Sequence, residues 1–432
     1  MAIVRDYTPK DVMVISDWPL AKEEQSGKAY SEWSSMQLRD ALINASILEH
    51  KNREVKYHLG VGEVCFTYLS LTRPIKGDAD WLHSVVNKKN IPEGKEYIQC
   101  EWLKDVWVAE AVYNNILETI HQIQKVQPKL IICGGKWSLL FFGTFADNPT
   151  TQLATIAGTK TTIKKQVFFG ALNTYRASKL TIHSYFELYP IVLIPILTPS
   201  YHWVVRDKAE IIRKDYAKAA FFYRRLKEGV DVEEFLKSER ELIIGYEKDT
   251  VIQYLQNILE ILDKKPTKIV TDVETKFFGI DCVGLCYIKD EAFTIPFTEL
   301  YEESAKEGEL AFVHKTIKGK KTFVEEAVAE GTLLTKHRHY WDILDEVDIM
   351  YYLQKVMLHP NCLHVGQNYL YDMQMYYREW KLNIFAYADT MIQHHCLYNY
   401  MQKDLALLAS MYCSDYVYWK DEISGKGGGI RI

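Results

Sequence analysis

The sequence has little of what marks disordered, fibrous or membrane-embedded chains. Of 432 residues, 22 are glycine and 12 are proline, while 48% are apolar and 25% are charged. This composition excludes a mainly disordered, collagen-like or low-complexity chain. The most apolar stretch, residues 189–205, is broken by Pro190, Pro195 and Pro199, so we expect a strand and a loop there, with no membrane span. The N-terminal residues lack the layout of a signal peptide.

Neither sign of charge dominates, and no cysteines have metal-binding spacing. The 52 Lys and Arg residues face 57 Asp and Glu residues, a formal net charge of −5. This excludes a globally basic nucleic-acid coat but permits a local DNA groove. The eight cysteines are scattered without a C-x-x-C pair, which predicts reduced thiols of a cytoplasmic protein and no zinc finger.

Strand-like and helix-like segments alternate along the first half of the chain. Apolar runs predict strands near residues 12–15, 64–71, 129–133 and 190–197. Helical spacing predicts helices near residues 33–48, 104–125, 206–228 and 248–263. The alternation predicts an α/β protein of two domains, the first a three-layer α/β domain over 1–228. A helical linker over 229–265 and a second α/β domain over 266–432 complete the predicted organisation. The lysine-rich piece 314–321 is predicted to be a solvated hairpin tip, with phosphate contact as the alternative.

Two acids follow a buried strand at the start of the predicted second domain. Asp272 and Glu274 are two residues apart, so on a strand they point to the same face. Neighbouring carboxylates beside an apolar strand repel each other unless a positive charge lies between them, and a divalent metal ion meets that need. A single D-x-E pair is nevertheless more often structural than functional.

Further acids follow beyond a predicted hairpin. A short strand ends at Asn368, which we expect to cap the next helix, with Asp372 on the first turn of that helix. From there, Asp372 is expected to reach over the sheet edge toward Asp272 and Glu274. Asp389 opens a later helix and is predicted to be a capping residue.

The order of these motifs resembles the DEDD-type 3′–5′ exonuclease domain of family A DNA polymerases. The similarity covers residues 266 to about 420, with the family's first motif at Asp272 and Glu274. The second motif matches Asn368, Tyr371 and Asp372, and the family's "DTM" segment matches residues 389–391. The resemblance implies a ribonuclease H-like fold with a mixed sheet, and hydrolysis of the terminal phosphodiester at DNA 3′ ends.

The resemblance also implies a cofactor and residue roles. Two Mg²⁺ or Mn²⁺ ions would act on the scissile phosphate, held by the catalytic acids Asp272, Glu274 and Asp372. Substrate contacts are expected from Asn368, Tyr371, Phe277 and Phe278. Core packing is the alternative for the three aromatic residues.

The chain departs from the family pattern after the "DTM" segment. The third family motif, a helix with Tyr-x-x-x-Asp whose acid completes the metal site, is expected some tens of residues later, and the sequence ends before it. Tyr418 and Asp421 imitate that motif in letters but lie too early. We therefore expect an exonuclease domain that is incomplete before its third motif and lacks the polymerase domain. A polymerase-domain polypeptide is the expected partner.

The first half contains motifs that resemble the uracil-DNA glycosylase superfamily, nearest its iron–sulfur branch. Asp17 and Pro19 follow the first strand, and the last motif corresponds to Thr198, Pro199 and Ser200. Thr198 stands where the family has the histidine that stabilises the leaving uracil. The four cysteine ligands of the cluster are not reproduced, so no iron–sulfur cluster is expected. The resemblance therefore implies a degenerate, non-catalytic glycosylase-like domain.

Three functional hypotheses follow from these resemblances. The leading one is the proofreading exonuclease portion of a bacteriophage-type replication polymerase, located in the host cytoplasm and acting on DNA without a membrane partner. The alternative is a non-catalytic DNA-binding replication subunit that needs a second polypeptide to complete its active site. A DNA-repair glycosylase would require a leaving-group stabiliser at Thr198.

Overall fold

The protein is described by a computed structural model as a mixed α/β chain with several sheets. The described residues are 5–19, 21–27, 64–71, 85–86, 97–99, 107–143, 146–156, 159–166, 176–177, 180–182, 191–197, 208–230, 241–276, 279–317 and 320–413. The chain divides into two compact units. Unit 1 comprises Met1–Thr151, Ile163–Ser238 and Tyr398–Ile432, and unit 2 comprises Gln152–Thr162 and Glu239–Leu397.

The described strands are numbered in chain order. In the first half they are β1 (Val12–Ser16), β2 (Val64–Tyr68), β3 (Val85–Val86), β4 (Tyr97–Gln99), β5 (Trp107–Ala109), β6 (Leu130–Cys133), β7 (Ala146–Ile156), β8 (Thr159–Gln166), β9 (Leu180–Ile182) and β10 (Ile191–Pro195). In the second half they are β11 (Glu241–Ile244), β12 (Thr267–Lys276), β13 (Gly279–Cys286), β14 (Glu291–Pro296), β15 (Thr298–Ser304), β16 (Leu310–Ile317), β17 (Lys320–Ala327), β18 (Leu333–His339), β19 (Cys362–Gly366) and β20 (Ala386–Asp389).

The described helices are numbered in the same way. They are α1 (Ala21–Ser26), α2 (Glu110–Val126), α3 (Lys136–Gly143), α4 (Lys208–Lys227), α5 (Lys248–Leu262), α6 (Ile343–Met357), α7 (Leu370–Trp380), α8 (Thr390–Leu397) and α9 (Leu405–Tyr412). The predicted helices at 104–125, 206–228 and 248–263 correspond to α2, α4 and α5, while the one predicted at 33–48 lies outside the described residues. Among the described residues, no helix combines the length and apolarity needed to cross a membrane.

Unit 1 is built on a parallel sheet covered on both faces. Its strand order is β2-β1-β6-β10, and β9 is antiparallel to β10. Alternate residues of each central strand enter opposite cores, as Met13 and Ile15 do on one face and Val12 and Val14 on the other. Helix α2 contributes to the first core and α4 to the second. Burial on both faces explains why these strands are continuously apolar, as the sequence predicted for a parallel sheet.

Unit 2 contains a mixed sheet. Its strand order is β11-β14-β13-β12-β19-β20, in which β12, β13 and β14 are antiparallel neighbours and β19 is parallel to both β12 and β20. Helices α5 and α6 contribute to the same apolar core as the sheet, through residues such as Leu255, Ile258, Ile349 and Leu353. The sheet therefore holds β12, β19 and β20 side by side, and these strands carry or precede the predicted acids.

The predicted linker differs from the structure. Residues 229–265 include strand β11, which pairs in parallel with β14, and helix α5, which is packed into the core of unit 2. The apolar triplet at 242–244 favours a strand, and Gly245 permits close packing, since an added Cβ would lie 2.5 Å from Val251. Residues 241–262 of this range are therefore packed into unit 2, while residues 231–240 lie outside the described residues.

A long β-ribbon is inserted between β14 and α6. Strands β15 and β18 pair antiparallel from Thr298 opposite His339, and β16 and β17 pair antiparallel further out, as far as Ile317 opposite Lys320. The lysine-rich piece 314–321 thus lies at the end of this ribbon, in agreement with the predicted hairpin tip.

Candidate active site

The predicted site forms where β12 extends past the end of β19. The two strands pair only as far as Val270 opposite Val365, while β12 continues to Lys276. Beyond that point an edge of β12 has no β19 residue to pair with. Asp372 uses this edge, since its Oδ1 accepts a hydrogen bond from the backbone N–H of Val273 at 2.9 Å. Val273 lies between Asp272 and Glu274, so this bond attaches the helix acid to the part of β12 that carries both strand acids.

Two tyrosines attach the start of α7 to the same strand. The hydroxyl of Tyr369 lies 2.6 Å from Thr271 Oγ1, and that of Tyr371 lies 2.6 Å from Thr275 Oγ1. Together with the bond to Val273, alternate residues of β12 hold the helix. Tyr369 is fully buried, whereas Tyr371 is 44% exposed.

Asp389 fixes the loop that leads into α7. Its carboxylate accepts the backbone N–H groups of Asn368 at 3.1 Å and Tyr369 at 2.8 Å. It also accepts the N–H groups of Met391 at 2.8 Å and Ile392 at 3.4 Å, which confirms its capping role on α8. One buried carboxylate therefore holds both the "DTM" helix and the loop before Asp372.

The predicted capping role of Asn368 is wrong. The residue that precedes α7 is Tyr369, and no side chain caps the helix. Asn368 instead has a positive φ of 57°, a conformation that asparagine tolerates better than most residues. Its side chain is exposed, so the predicted substrate contact stays a prediction.

Burial disfavours the ionised form of each of the three acids, and the charge of Asp272 adds to this effect at Glu274 and Asp372. Burial raises the pKa of Asp372 to about 7, and the negative charge of Asp272 acts in the same direction. Desolvation raises the pKa of Asp272, and raises that of Glu274 with further contributions from Asp272 and Asp281. None of the three acids forms an ion pair with another described residue.

The donor chemistry of this cluster fits a hard divalent cation. Carboxylate oxygens are the ligands that Mg²⁺ and Mn²⁺ prefer, and a cation would stabilise the ionised carboxylates that burial disfavours. Within the described part of the chain, however, no three or more His, Cys, Asp or Glu side chains are arranged to hold a metal ion. The acids are thus adjacent, and a ligand set would require their side chains to converge further.

Some predicted residues lie outside the described residues. These are Phe277 and Phe278, and the segment 414–432 that contains Tyr418 and Asp421. Sequence reasoning missed the roles of Thr271, Thr275 and Tyr369. The hydroxyl residues that flank the D-x-E pair at alternate positions were the available signal.

In unit 1, Asp17, the acid of the predicted glycosylase-like site, forms hydrogen bonds within the fold. Asp17 accepts the backbone N–H of Trp137 at 3.2 Å, and both the N–H and the hydroxyl of Ser138 at 2.7 Å. It thereby binds the first turn of α3. Gly135 is required beside it, because a Cβ there would lie 2.0 Å from the carboxylate. Pro19 is buried, and Thr198, Pro199 and Ser200 lie outside the described residues.

Comparison with known protein families finds a match for one segment of the chain. Residues 324–432 match a protein family described as 3'-5' exonuclease. The matched segment includes Asp372 and Asp389, and it begins after Asp272 and Glu274. A search of curated proteins finds no match to the chain.

Proposed function

We propose that the protein is a 3′–5′ exonuclease that removes terminal nucleotides from DNA, as the proofreading portion of a phage-type family A DNA polymerase. The observation that carries this proposal is the hydrogen bond from Val273 N–H to Asp372. It joins an acid of the exonuclease-matched segment to the strand that bears the other two acids, Asp272 and Glu274.

The roles of the residues follow from their positions. Asp272, Glu274 and Asp372 would hold two Mg²⁺ or Mn²⁺ ions, which supply activation of the attacking water and stabilisation of the leaving 3′ oxygen. The exposed ring of Tyr371 is suited to stacking on a terminal base, and its bond to Thr275 fixes its orientation. The buried bonds of Asp389 keep the loop before Asp372 in one conformation.

A non-catalytic DNA-binding replication subunit is the second candidate. It is favoured by the observation that the described residues contain no three side chains arranged to hold a metal ion. In that case the acids would become a working site only with a second polypeptide, such as one that carries a polymerase domain.

We propose that residues 1–228 form a glycosylase-like scaffold that has no glycosylase activity. The use of Asp17 as a partner of the first turn of α3 supports this view, because both carboxylate oxygens accept bonds from that helix.

The test uses a 5′-labelled primer–template with a mismatched 3′ end and the full chain in Mg²⁺ or Mn²⁺. We expect stepwise shortening from the 3′ end, abolished in the isosteric double variant Asp272→Asn/Glu274→Gln. The matched control Asp263→Asn/Glu307→Gln removes the same two charges from exposed positions of unit 2 and should retain activity.

The outcomes separate the two candidates. Shortening that persists in the Asp272→Asn/Glu274→Gln variant would contradict the assigned site. No shortening by the unaltered chain, with binding to the same DNA retained, would favour the non-catalytic subunit. Recovery of shortening on addition of a polymerase-domain polypeptide would then identify the missing component.

A further inference from the structure

Helix α4 of unit 1 is buried on two faces. One face packs against the parallel sheet through Ile212, Tyr216, Ala219, Ala220, Phe222, Tyr223 and Leu226. A second face carries residues that recur three and four positions apart and contact the segment 398–412 or its partner Arg176, namely Glu210, Ile211, Lys214, Asp215 and Lys218. Because residues at this spacing share one face of a helix, these five residues form a single surface of α4 that packs against the segment. We call this surface, together with Arg176, the seat of the segment.

Four buried polar residues form the centre of this seat. Arg176 forms an ion pair with Asp215 and donates a second hydrogen bond to the hydroxyl of Ser410 in α9. Lys218 Nζ donates to the backbone carbonyl of Ser410 at 2.5 Å. All four residues are buried, with exposures of 0–8%. Isolated charges are costly at such burial, so the contacts are obligatory for this packing.

Apolar and aromatic contacts surround the polar centre. Ile211 of α4 forms a small buried cluster with Met401 and Met411. The hydroxyl of Tyr398 donates to Glu210 Oε1 at 2.9 Å, and Lys214 Nζ lies 5.3 Å from the centre of the Tyr412 ring. The contacts therefore extend from the first residue after α8 to the last residue of α9.

This seat lies in unit 1, yet the segment it holds belongs to the exonuclease match. The match covers residues 324–432, whereas the compact units change from unit 2 to unit 1 at Tyr398. The seat therefore ties residues of the matched segment to Arg176 and α4, which both lie well before the match in the sequence.

We propose that Arg176, Asp215 and Lys218 are positioning residues of the exonuclease. They fix the orientation of α9, the last described helix of the exonuclease-matched segment, on α4 within unit 1. A buried ion pair adds little net stability compared with apolar residues of similar size, but it permits fewer alternative packings than an apolar contact does. The proposal rests on the proposed exonuclease function for its effect on rate, but the anchoring of α9 can be measured without any nuclease assay.

The test replaces the ion pair by apolar residues in the full chain, as Arg176→Met/Asp215→Leu, which removes both charges of the pair and leaves Lys218 its hydrogen bond to the Ser410 carbonyl. The matched control is Arg225→Ala/Glu228→Ala, an exposed ion pair at the end of α4. Hydrogen exchange is followed in residues 405–412, and in β6 and β12 as reporters of the two sheets. A smaller variant, Ser410→Ala, serves if the double variant does not fold.

We expect exchange in residues 405–412 to become about tenfold faster in the double variant, with β6 and β12 unchanged. In the exonuclease assay we expect kcat to fall about tenfold while KM changes less than about twofold. The control should match the unaltered chain in both measurements. Ser410→Ala should shift both quantities in the same direction by about threefold.

Two results would overturn the proposal. Unchanged exchange in residues 405–412 would show that the network does not anchor α9. Faster exchange with unchanged kcat would show that the anchor has no role in positioning. If the unaltered chain has no exonuclease activity, the proposed function fails and the positioning role falls with it, while the exchange measurement alone decides whether α9 is anchored.

Discussion

Asp372 and Val273 are joined by a hydrogen bond from a backbone N–H to a buried carboxylate, at 2.9 Å. The bond exists because β12 extends beyond the last residue of β19 with which it pairs. The backbone N–H of Val273 therefore lies at the strand edge without a partner in the sheet. It places the only acid of the first turn of α7 next to the residue that separates Asp272 from Glu274. The same bond therefore satisfies the strand edge and assembles the candidate site.

Gly366 should be essential for the position of α7. A Cβ at this position would lie 2.2 Å from the ring of Tyr369, which is buried and bonded to Thr271. We expect Gly366→Ala to lower the free energy of unfolding by about 1–3 kcal/mol and to reduce exonuclease activity. The control Gly279→Ala adds a Cβ with no atom within 4 Å and should be neutral. Chemical denaturation and the primer assay provide the measurements, and equal effects of both substitutions would contradict this packing.

The ionisation of Asp372 should make stability depend on pH. Its folded-state pKa of about 7 lies above the ordinary value of 3.8, so the native chain binds the proton more tightly than the unfolded chain. Stability therefore decreases as the pH rises from about 4 to about 7, and Asp372→Asn should escape this decrease. In metal-free buffer, the variant should gain on the order of 4 kcal/mol relative to the unaltered chain between about pH 4 and pH 8.

Asp342→Asn is the control for this pH dependence. Asp342 also accepts backbone N–H groups, from Leu344 and Asp345, but on the exposed surface at the start of α6. Thermal or urea unfolding across the pH range measures both variants. A stability difference for Asp372→Asn that does not change with pH would show that this carboxyl is ionised normally in the folded state.

Tyr371 should contribute to DNA binding through its ring and not through its hydroxyl. The residue is 44% exposed, while its hydroxyl is hydrogen-bonded to Thr275. We expect Tyr371→Ala to weaken binding to a single-stranded 3′ end by about tenfold and Tyr371→Phe to have little effect. Tyr377→Ala removes a comparably exposed ring from the same helix and should leave binding unchanged. Fluorescence anisotropy measures the dissociation constants, and equal losses for both alanine variants would reject a specific role.

The end of the β-ribbon should contact phosphates. Nearer its base, Lys336 is paired with Glu303 at 2.7 Å and Glu309 at 2.6 Å, and Arg338 is paired with Glu299. At the end of the ribbon, the strand partners of Lys315, Lys320 and Lys321 are Thr322, Ile317 and Thr316. The segment 314–321 contains four lysines and no acid, so it is locally basic within a chain of net charge −5.

The measurement for the ribbon is the salt dependence of DNA affinity. Replacing Lys315, Lys318, Lys320 and Lys321 by Gln should reduce the slope of log affinity against log salt by about 0.7–0.9 for each phosphate that is no longer neutralised. The control is a second fourfold variant that removes the same charge from exposed sites elsewhere. In it, Gln replaces Lys264, Lys265, Lys289 and Lys306. A slope that falls equally in both variants would indicate a general charge effect without a specific contact.

Local patterns in the sequence were enough to predict most elements near the site. The apolar run before Asp272 predicted β12, and the helix with Asp372 on its first turn was also expected, because alternation and helical spacing are local properties. The mixed α/β character followed from the same signals, and the resemblance to an exonuclease led us to expect Asp372 near the strand that carries Asp272 and Glu274. The capping role of Asn368 was wrong because α7 begins after Tyr369, while the N–H of Asn368 bonds to Asp389, twenty-one positions away, a contact that no local pattern indicates.

The sequence by itself determined the residue types available for chemistry, namely a D-x-E strand, a helix acid and an exonuclease-like order of motifs. Tertiary structure alone decided that β12 outruns β19, so that the N–H of Val273 holds Asp372. It also decided that Arg176 pairs with Asp215 and Ser410, and that α9 is seated on α4. Such contacts join residues far apart in the chain, and their energies depend on burial and on packing partners. Neither quantity is encoded in a local pattern of residues.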